Sequence, residues 1–264
     1  MFQRTEFDKS AVMWYNGAIP SLTEDNMKID GIIFDKDGTL MSFDAFWVSL
    51  SVKALEDVLA ELGMEHGPLC EILDAFGVHD GVTDINGVLC KGTYAEMGEI
   101  VFDILGKHGC TALRADVVKA VEDAYSRNAA AGDVKPTCPN LAETLAGLKE
   151  NGLRLAVVTT DNEPITRHCL TELGILEYFD IIFTDDGHTP TKPDPFCAGE
   201  FCRLYGLDTS RVMMVGDTMT DVRFAKNGGI TAVSLAPTPE KKALLVPHTD
   251  IIIDAISELT ELVK

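Results

Sequence analysis

The chain has 264 residues, 46% of them apolar and 24% charged, an ordinary composition for a globular protein with a sizeable core. Its net charge of −20 at neutral pH argues against nucleic acid as a partner, because binding a phosphate backbone needs a basic face. No segment has 18 uninterrupted apolar residues, so we expect no membrane partner either.

The amino-terminal segment, residues 1–27, is an extension to which the sequence assigns no role. It lacks the charged start and apolar stretch of a signal peptide. The chain has seven cysteines, an odd number, with no C-x-x-C pair among them, which argues against a disulfide framework or a zinc site. No cysteine follows a predicted strand, so a catalytic thiol is not expected. Together these features predict a cytoplasmic protein.

The first predicted strand, Ile32–Phe34, is followed directly by Asp35-Lys36-Asp37-Gly38-Thr39. Two carboxylates at i and i+2 give one segment two acid–base groups, of which one can attack and the other can move protons. A solvated turn is the alternative, because Asp and Gly favour turns in any case.

Residues 42–137 show no convincing strand, and we expect a helical block there. Apolar residues recur at helical spacing, and Pro136 and Pro139 mark the return to the rest of the fold. The predicted helices cover 44–62, 96–105 and 114–125.

From Leu141 onward the pattern alternates helix and strand, which predicts a Rossmann-like, doubly wound parallel sheet. Each predicted strand ends in polar residues. Because ligands of open parallel sheets lie beyond the carboxyl ends of the strands, these residues should converge on one crevice. They are Thr159-Thr160-Asp161 after 155–158, Asp185-Asp186 and then Lys192 after 181–183, and Gly216-Asp217 to Asp221 after 212–215.

In order and spacing, these strand-end motifs resemble those of the haloacid dehalogenase (HAD) superfamily, most closely its phosphoglycolate-phosphatase-like branch. The similarity is continuous from 141 to 235, whereas 42–137 resembles that branch only in helical character and length. The resemblance implies an α/β fold with an inserted α-helical cap domain of C1 type. It places the cap at 42–137 and the catalytic core at 28–41 and 138–264.

The resemblance also implies residue roles. Asp35 would be the nucleophile, and Asp37 would protonate the leaving alcohol and then accept a proton from water. Thr159 would donate to the phosphoryl group, and Lys192 would neutralise charge beside it. Mg²⁺, which prefers oxygen ligands, would be held by the Asp35 carboxylate, the Asp37 carbonyl and Asp217, with Asp221 ligating or orienting nearby groups.

Some of these residues have simpler alternatives. Asp217 suits a helix N-cap, and Asp221 suits a charge in the first helical turn. We expect Thr160 and Lys91 to contact the substrate, Lys91 from a loop at 86–93 in the cap, although a solvated surface lysine is the alternative.

The chain departs from the commonest family pattern at three places. The resemblance implies an apolar residue where Lys36 stands and Asn followed by Lys or Gly where Thr160-Asp161 stands. It implies Ala where Gly228 stands.

The sequence therefore predicts a Mg²⁺-dependent phosphomonoester hydrolase that acts on a small phosphorylated metabolite through an aspartyl-phosphate. A phosphosugar mutase with the same intermediate, or a regulatory or binding protein on a phosphatase scaffold, are the alternatives. Phosphoglycolate, pyrophosphate, a nucleotide monophosphate and a sugar phosphate all fit as substrates. No oligomeric state is predicted.

Overall fold

The computed structural model describes residues 28–64 and 67–263, so the extension at 1–27 lies outside the described residues. Six short parallel strands form the central sheet of the molecule, and two more strands form a separate hairpin. In chain order the strands are β1 Gly31–Phe34, β2 Val78–His79, β3 Val82–Thr83, β4 Arg154–Val158, β5 Ile181–Phe183, β6 Val212–Gly216, β7 Thr231–Leu235 and β8 Ile251–Ile253.

Helices cover both faces of this sheet and form the inserted block. They are α1 Phe43–Glu61, α2 Leu69–Ala75, α3 Val88–Lys91, α4 Tyr94–Lys107, α5 Arg114–Arg127, α6 Leu141–Glu150, α7 Glu163–Glu172, α8 Phe196–Tyr205, α9 Met219–Gly228, α10 Pro239–Leu245 and α11 Leu259–Leu262. No helix in the described part is long and apolar enough to cross a bilayer.

The main sheet has the order β5-β4-β1-β6-β7-β8, and all its neighbouring strands are parallel. The central strand β1 is buried on both faces: Ile32 and Phe34 pack into one apolar cluster, and Ile33 packs into another. This two-sided burial explains why the strand is an unbroken apolar run instead of an alternating one. The predicted Rossmann-like α/β fold is confirmed.

The helical block has an apolar core of its own, built mainly from α1, α4 and α5, and this core also contacts Ile165 and Cys169 of α7. The two connections to the sheet lie side by side, because the Ser42 N–H donates to the Lys135 carbonyl at 2.8 Å. This arrangement agrees with the predicted helices, although the division into cap and core domains stays a prediction.

From its sequence we expected the block to be purely helical, and this expectation was wrong. Strands β2 and β3 form a two-residue antiparallel hairpin. Its turn residues Asp80 and Gly81 have φ of 51° and 79°, the left-handed conformation that a tight hairpin turn requires.

Candidate active site

Asp35 and Lys192 form the centre of the site. Asp35 directly follows β1, and Lys192 reaches it from the loop after β5: its Nζ lies 2.5 Å from Asp35 Oδ1 and 2.7 Å from Asp221 Oδ1. All three side chains are at least nine-tenths buried. Burial, opposed by Lys192, raises the pKa of Asp35 well above its ordinary value. Burial would lower the pKa of Lys192, but Asp221 and Asp35 together raise it, so the ammonium stays charged.

A cluster of three carboxylates can hold a cation beside this pair. Oxygens of Asp35, Asp217 and Asp221 lie within 4.8 Å of one another. Burial raises the pKa of Asp217, and the nearby ammonium of Lys241 opposes that rise. Because buried carboxylates repel one another and the donors are all oxygens, the cluster fits a hard divalent cation.

The turn after Asp37 fits closely around this cluster. Gly38 has φ of +79°, and a Cβ built there would lie 2.4 Å from Asp217 Oδ2. Only glycine satisfies both the backbone conformation and the close approach. Glycine at position 38 therefore leaves the space that the Asp217 carboxylate occupies.

Helix α9 resolves the simpler alternatives for Asp217 and Asp221. Its N-cap is Thr218, whose hydroxyl accepts from the Asp221 N–H, so Asp217 is not the cap residue. Asp221 completes the capping box with one oxygen and contacts Lys192 with the other. It is thus a first-turn residue and also a partner of Lys192.

Asp37 lies beside this centre, half-buried, and both its oxygens have donors. Trp47 of α1 donates from Nε1 to Oδ1 at 3.1 Å, and Lys36 Nζ lies 2.7 Å from Oδ2. The Lys36 side chain is fully buried and also lies 2.8 Å from Asp161 Oδ2. Burial and then the charge of Asp37 raise the pKa of Asp161, whereas Lys36 opposes the rise.

The remaining predicted residues occupy different surroundings. Thr159 is buried at the end of β4, where its Oγ1 accepts from the Asp161 N–H at 3.2 Å, and Thr160 is exposed. Lys91 is exposed at the end of α3, a short helix inside the predicted loop. Its Nζ lies 2.6 Å from Asn86 Oδ1, so Lys91 contacts its own segment and does not reach the strand-end carboxylates.

Two residues at the site were not predicted from the sequence. Trp47 lies on the predicted helix, but nothing in its spacing indicated a contact with Asp37. Lys241, in α10, places its Nζ 2.5 Å from Asp217 Oδ2. A lysine in a surface helix carries no local signal of such a contact, so only the tertiary structure reveals it.

Comparisons with known proteins identify the family of this chain. The family model of the haloacid dehalogenase-like hydrolases matches residues 29–229. A phosphoglycolate phosphatase of Neisseria meningitidis is 27% identical over 208 residues, which cover 78% of this chain and 80% of that protein.

Solved structures show the same fold. A predicted phosphoglycolate phosphatase from Haemophilus somnus has a TM-score of 0.64 at 22% identity, covering 89% of this chain and 98% of its own. A putative beta-phosphoglucomutase from Thermotoga maritima has a TM-score of 0.61 at 20% identity, with the same coverage of 89% and 98%. The parallel sheet and the match to that family model define a hydrolase with a Rossmann-like α/β fold. The chain belongs to the haloacid dehalogenase-like hydrolase family and is an enzyme of that type.

Proposed function

We propose that this enzyme is a Mg²⁺-dependent phosphomonoesterase that works through a phosphoryl group carried on Asp35. One observation carries the proposal: the ammonium of Lys192 contacts the carboxylates of both Asp35 and Asp221. An oxygen of Asp217 lies within 4.8 Å of oxygens of these two carboxylates. A carboxylate oxygen held against an ammonium at the end of a strand is placed to attack phosphorus. The names of curated relatives, phosphoglycolate phosphatases among them, support the same activity.

In the first step, an oxygen of Asp35 forms a bond to phosphorus while the bond from phosphorus to the leaving oxygen breaks. Asp37 gives its proton to that leaving oxygen. In the second step, water attacks the same phosphorus, Asp37 takes a proton from the water, and the bond to Asp35 breaks to release inorganic phosphate. Asp35 is thereby regenerated.

Charge around the phosphoryl group is balanced by residues of the chain. Lys192 neutralises the charge shared by Asp35 and the phosphoryl oxygens, and the Thr159 hydroxyl donates to one of those oxygens. Asp35, Asp217, Asp221 and the Asp37 carbonyl would hold Mg²⁺, which supplies electrostatic stabilisation of the transferring group when bound.

We propose a small anionic phosphate ester as the substrate, with Thr160 contacting it from the core and Lys91 from the helical block at 42–137. Phosphoglycolate is the first candidate because of the named relatives. Closure of the block as a lid would bring Lys91 to the leaving group and exclude water. A reducing, cytoplasmic setting is part of the proposal, since all seven cysteines are free.

The test is a screen of the purified enzyme with Mg²⁺ against phosphoglycolate, pyrophosphate, nucleotide monophosphates and sugar phosphates, with release of inorganic phosphate as the readout. We expect Asp35→Asn to lower the rate by roughly a thousandfold or more. The exposed carboxylate Asp103 provides the matched control, Asp103→Asn, which should leave the rate unchanged. An isomerised phosphate ester instead of free phosphate would establish the mutase alternative, and no turnover of any ester would contradict the proposal.

A further inference from the structure

Lys36 is a buried lysine in the loop that follows β1. It lies between Asp35, the proposed nucleophile, and Asp37, the group proposed to transfer protons. Its ammonium lies 2.7 Å from Asp37 Oδ2 and 2.8 Å from Asp161 Oδ2, and its side chain is fully buried. Its backbone is fixed as well, because its carbonyl accepts from the N–H groups of Leu40 at 2.9 Å and Met41 at 3.1 Å. The mechanism described above does not use this side chain.

Two further groups near the ammonium are apolar side chains. The ring of Phe46 is 5.6 Å from Nζ, and the Met41 sulfur is 3.7 Å away. A charge in such a position is costly unless it is paired. Asp161 also needs a partner of opposite charge, because no residue in the described part donates a directed hydrogen bond to its buried Oδ2. The ion pair with Lys36 offsets the cost of burying this carboxylate.

The pairing fixes the Asp37 carboxyl group. Trp47 donates to Oδ1, and the Lys36 ammonium lies against Oδ2, so the plane of the group is determined from both sides. When Asp37 gives up its proton in the first step, negative charge grows on this carboxyl group. A fixed ammonium at 2.7 Å stabilises that charge without rearrangement.

We propose that Lys36 is a positioning residue that holds Asp37 for proton transfer to the leaving group, and that Asp161 is the charge partner that allows a lysine to be buried there. The proposal rests on the proposed phosphatase function. It makes proton donation dependent on Lys36 while leaving the attack by Asp35 independent of it.

The test compares Lys36→Met, Asp161→Asn and the double variant with the wild type on a series of phosphate esters. For each ester, kcat/KM reports the steps through phosphoryl transfer to Asp35. Alkyl esters have poor leaving groups that need a proton, whereas nitrophenyl phosphate does not. Both variants that lack Lys36 should lose about ten- to a hundredfold on alkyl esters and at most about threefold on nitrophenyl phosphate. Asp161→Asn should stay close to wild type on both.

Urea unfolding of the same proteins separates positioning from simple charge balance. Lys36→Met leaves Asp161 buried without a cation, so its unfolding midpoint should fall, and adding Asp161→Asn should restore most of it. The double variant should remain deficient on alkyl esters despite this recovery, and it carries the test if the single variant does not fold.

Recovery of alkyl-ester activity in the double variant would overturn the proposal, because Lys36 would then serve only to neutralise Asp161. Equal losses on every ester would overturn it too. If the wild-type enzyme is active and the variants have the same kcat/KM as the wild type on every ester, the positioning role is wrong while the proposed function stands. A wild-type enzyme inactive on all esters contradicts the proposed function and, with it, this role.

Discussion

The indole nitrogen of Trp47 lies 3.1 Å from Oδ1 of Asp37, so the first helix of the inserted block contacts the carboxyl group proposed to transfer protons. The chain passes from the sheet into the block near Ser42, and Trp47 lies little more than one helical turn after that residue. A displacement of α1 would therefore change the surroundings of Asp37 directly. This contact offers a physical route by which closure of the block can be coupled to chemistry.

Replacing Trp47 by Phe removes the donor but keeps a ring against Phe46, whose centroid is 5.4 Å from that of Trp47. We expect kcat/KM on alkyl phosphates to fall several-fold, with a change in the free energy of unfolding of about 1 kcal/mol. Steady-state kinetics and urea unfolding of the purified variant measure both quantities. An unchanged kcat/KM would show that the hydrogen bond has no part in catalysis.

Gly38 and Gly187 form a matched pair for testing the metal site. Both have positive φ, +79° and +73°, but only at Gly38 would an added Cβ meet Asp217; nothing lies within 4 Å at Gly187. Ala at either position should cost about 1 kcal/mol or more in unfolding free energy. Only Gly38→Ala should also weaken Mg²⁺ binding, measured by calorimetry. Equal Mg²⁺ affinities in the two variants would mean that Asp217 is not a ligand.

Removal of the metal should abolish activity and preserve the fold. Few protein groups would hold the ion, so dialysis against a chelator should remove it. We expect an unchanged circular dichroism spectrum, loss of phosphate release, and recovery on addition of Mg²⁺. Full activity after chelation, or recovery with Zn²⁺ alone, would show that the three-carboxylate cluster has been assigned to the wrong ion.

Asp180 provides a test of stability against pH away from the active site. Burial would raise its pKa, but Lys149, the Leu155 N–H and Arg154 together lower it below the ordinary value. A lowered folded-state pKa means stability that is present above the unfolded-state value and is lost as the pH falls through the folded-state value. Asp180→Asn should thus be less stable than wild type at pH 7, and the difference should shrink in acid. A difference in unfolding free energy that stays constant with pH would contradict this assignment.

Much of the sheet was predictable because buried parallel strands are continuous apolar runs that stop at polar residues. The β2–β3 hairpin was not predictable in the same way, because strands of two residues are too short to show any period. Its only local signal was Asp80-Gly81.

At the site, the sequence predicted individual groups better than their contacts. Lys36 and Asp161 were noted separately as departures from the family pattern, yet they are the two ends of one ion pair. The pairing depends on β1 lying next to β4, with Phe34 opposite Val157. Contacts of Trp47 and Lys241 likewise depend on how helices pack, which residue spacing does not encode.

The central claim is that the phosphoryl group passes through Asp35, and trapping it is the most direct measurement. Asp37→Asn keeps the nucleophile but cannot activate water, so with nitrophenyl phosphate and Mg²⁺ it should accumulate protein-bound phosphate. After an acid quench, mass spectrometry of peptides should locate a stoichiometric phosphoryl group on Asp35, and Asp35→Asn should carry none. Release of nitrophenol by Asp37→Asn with no phosphoryl group on the protein, or with the group on another residue, would contradict the claim.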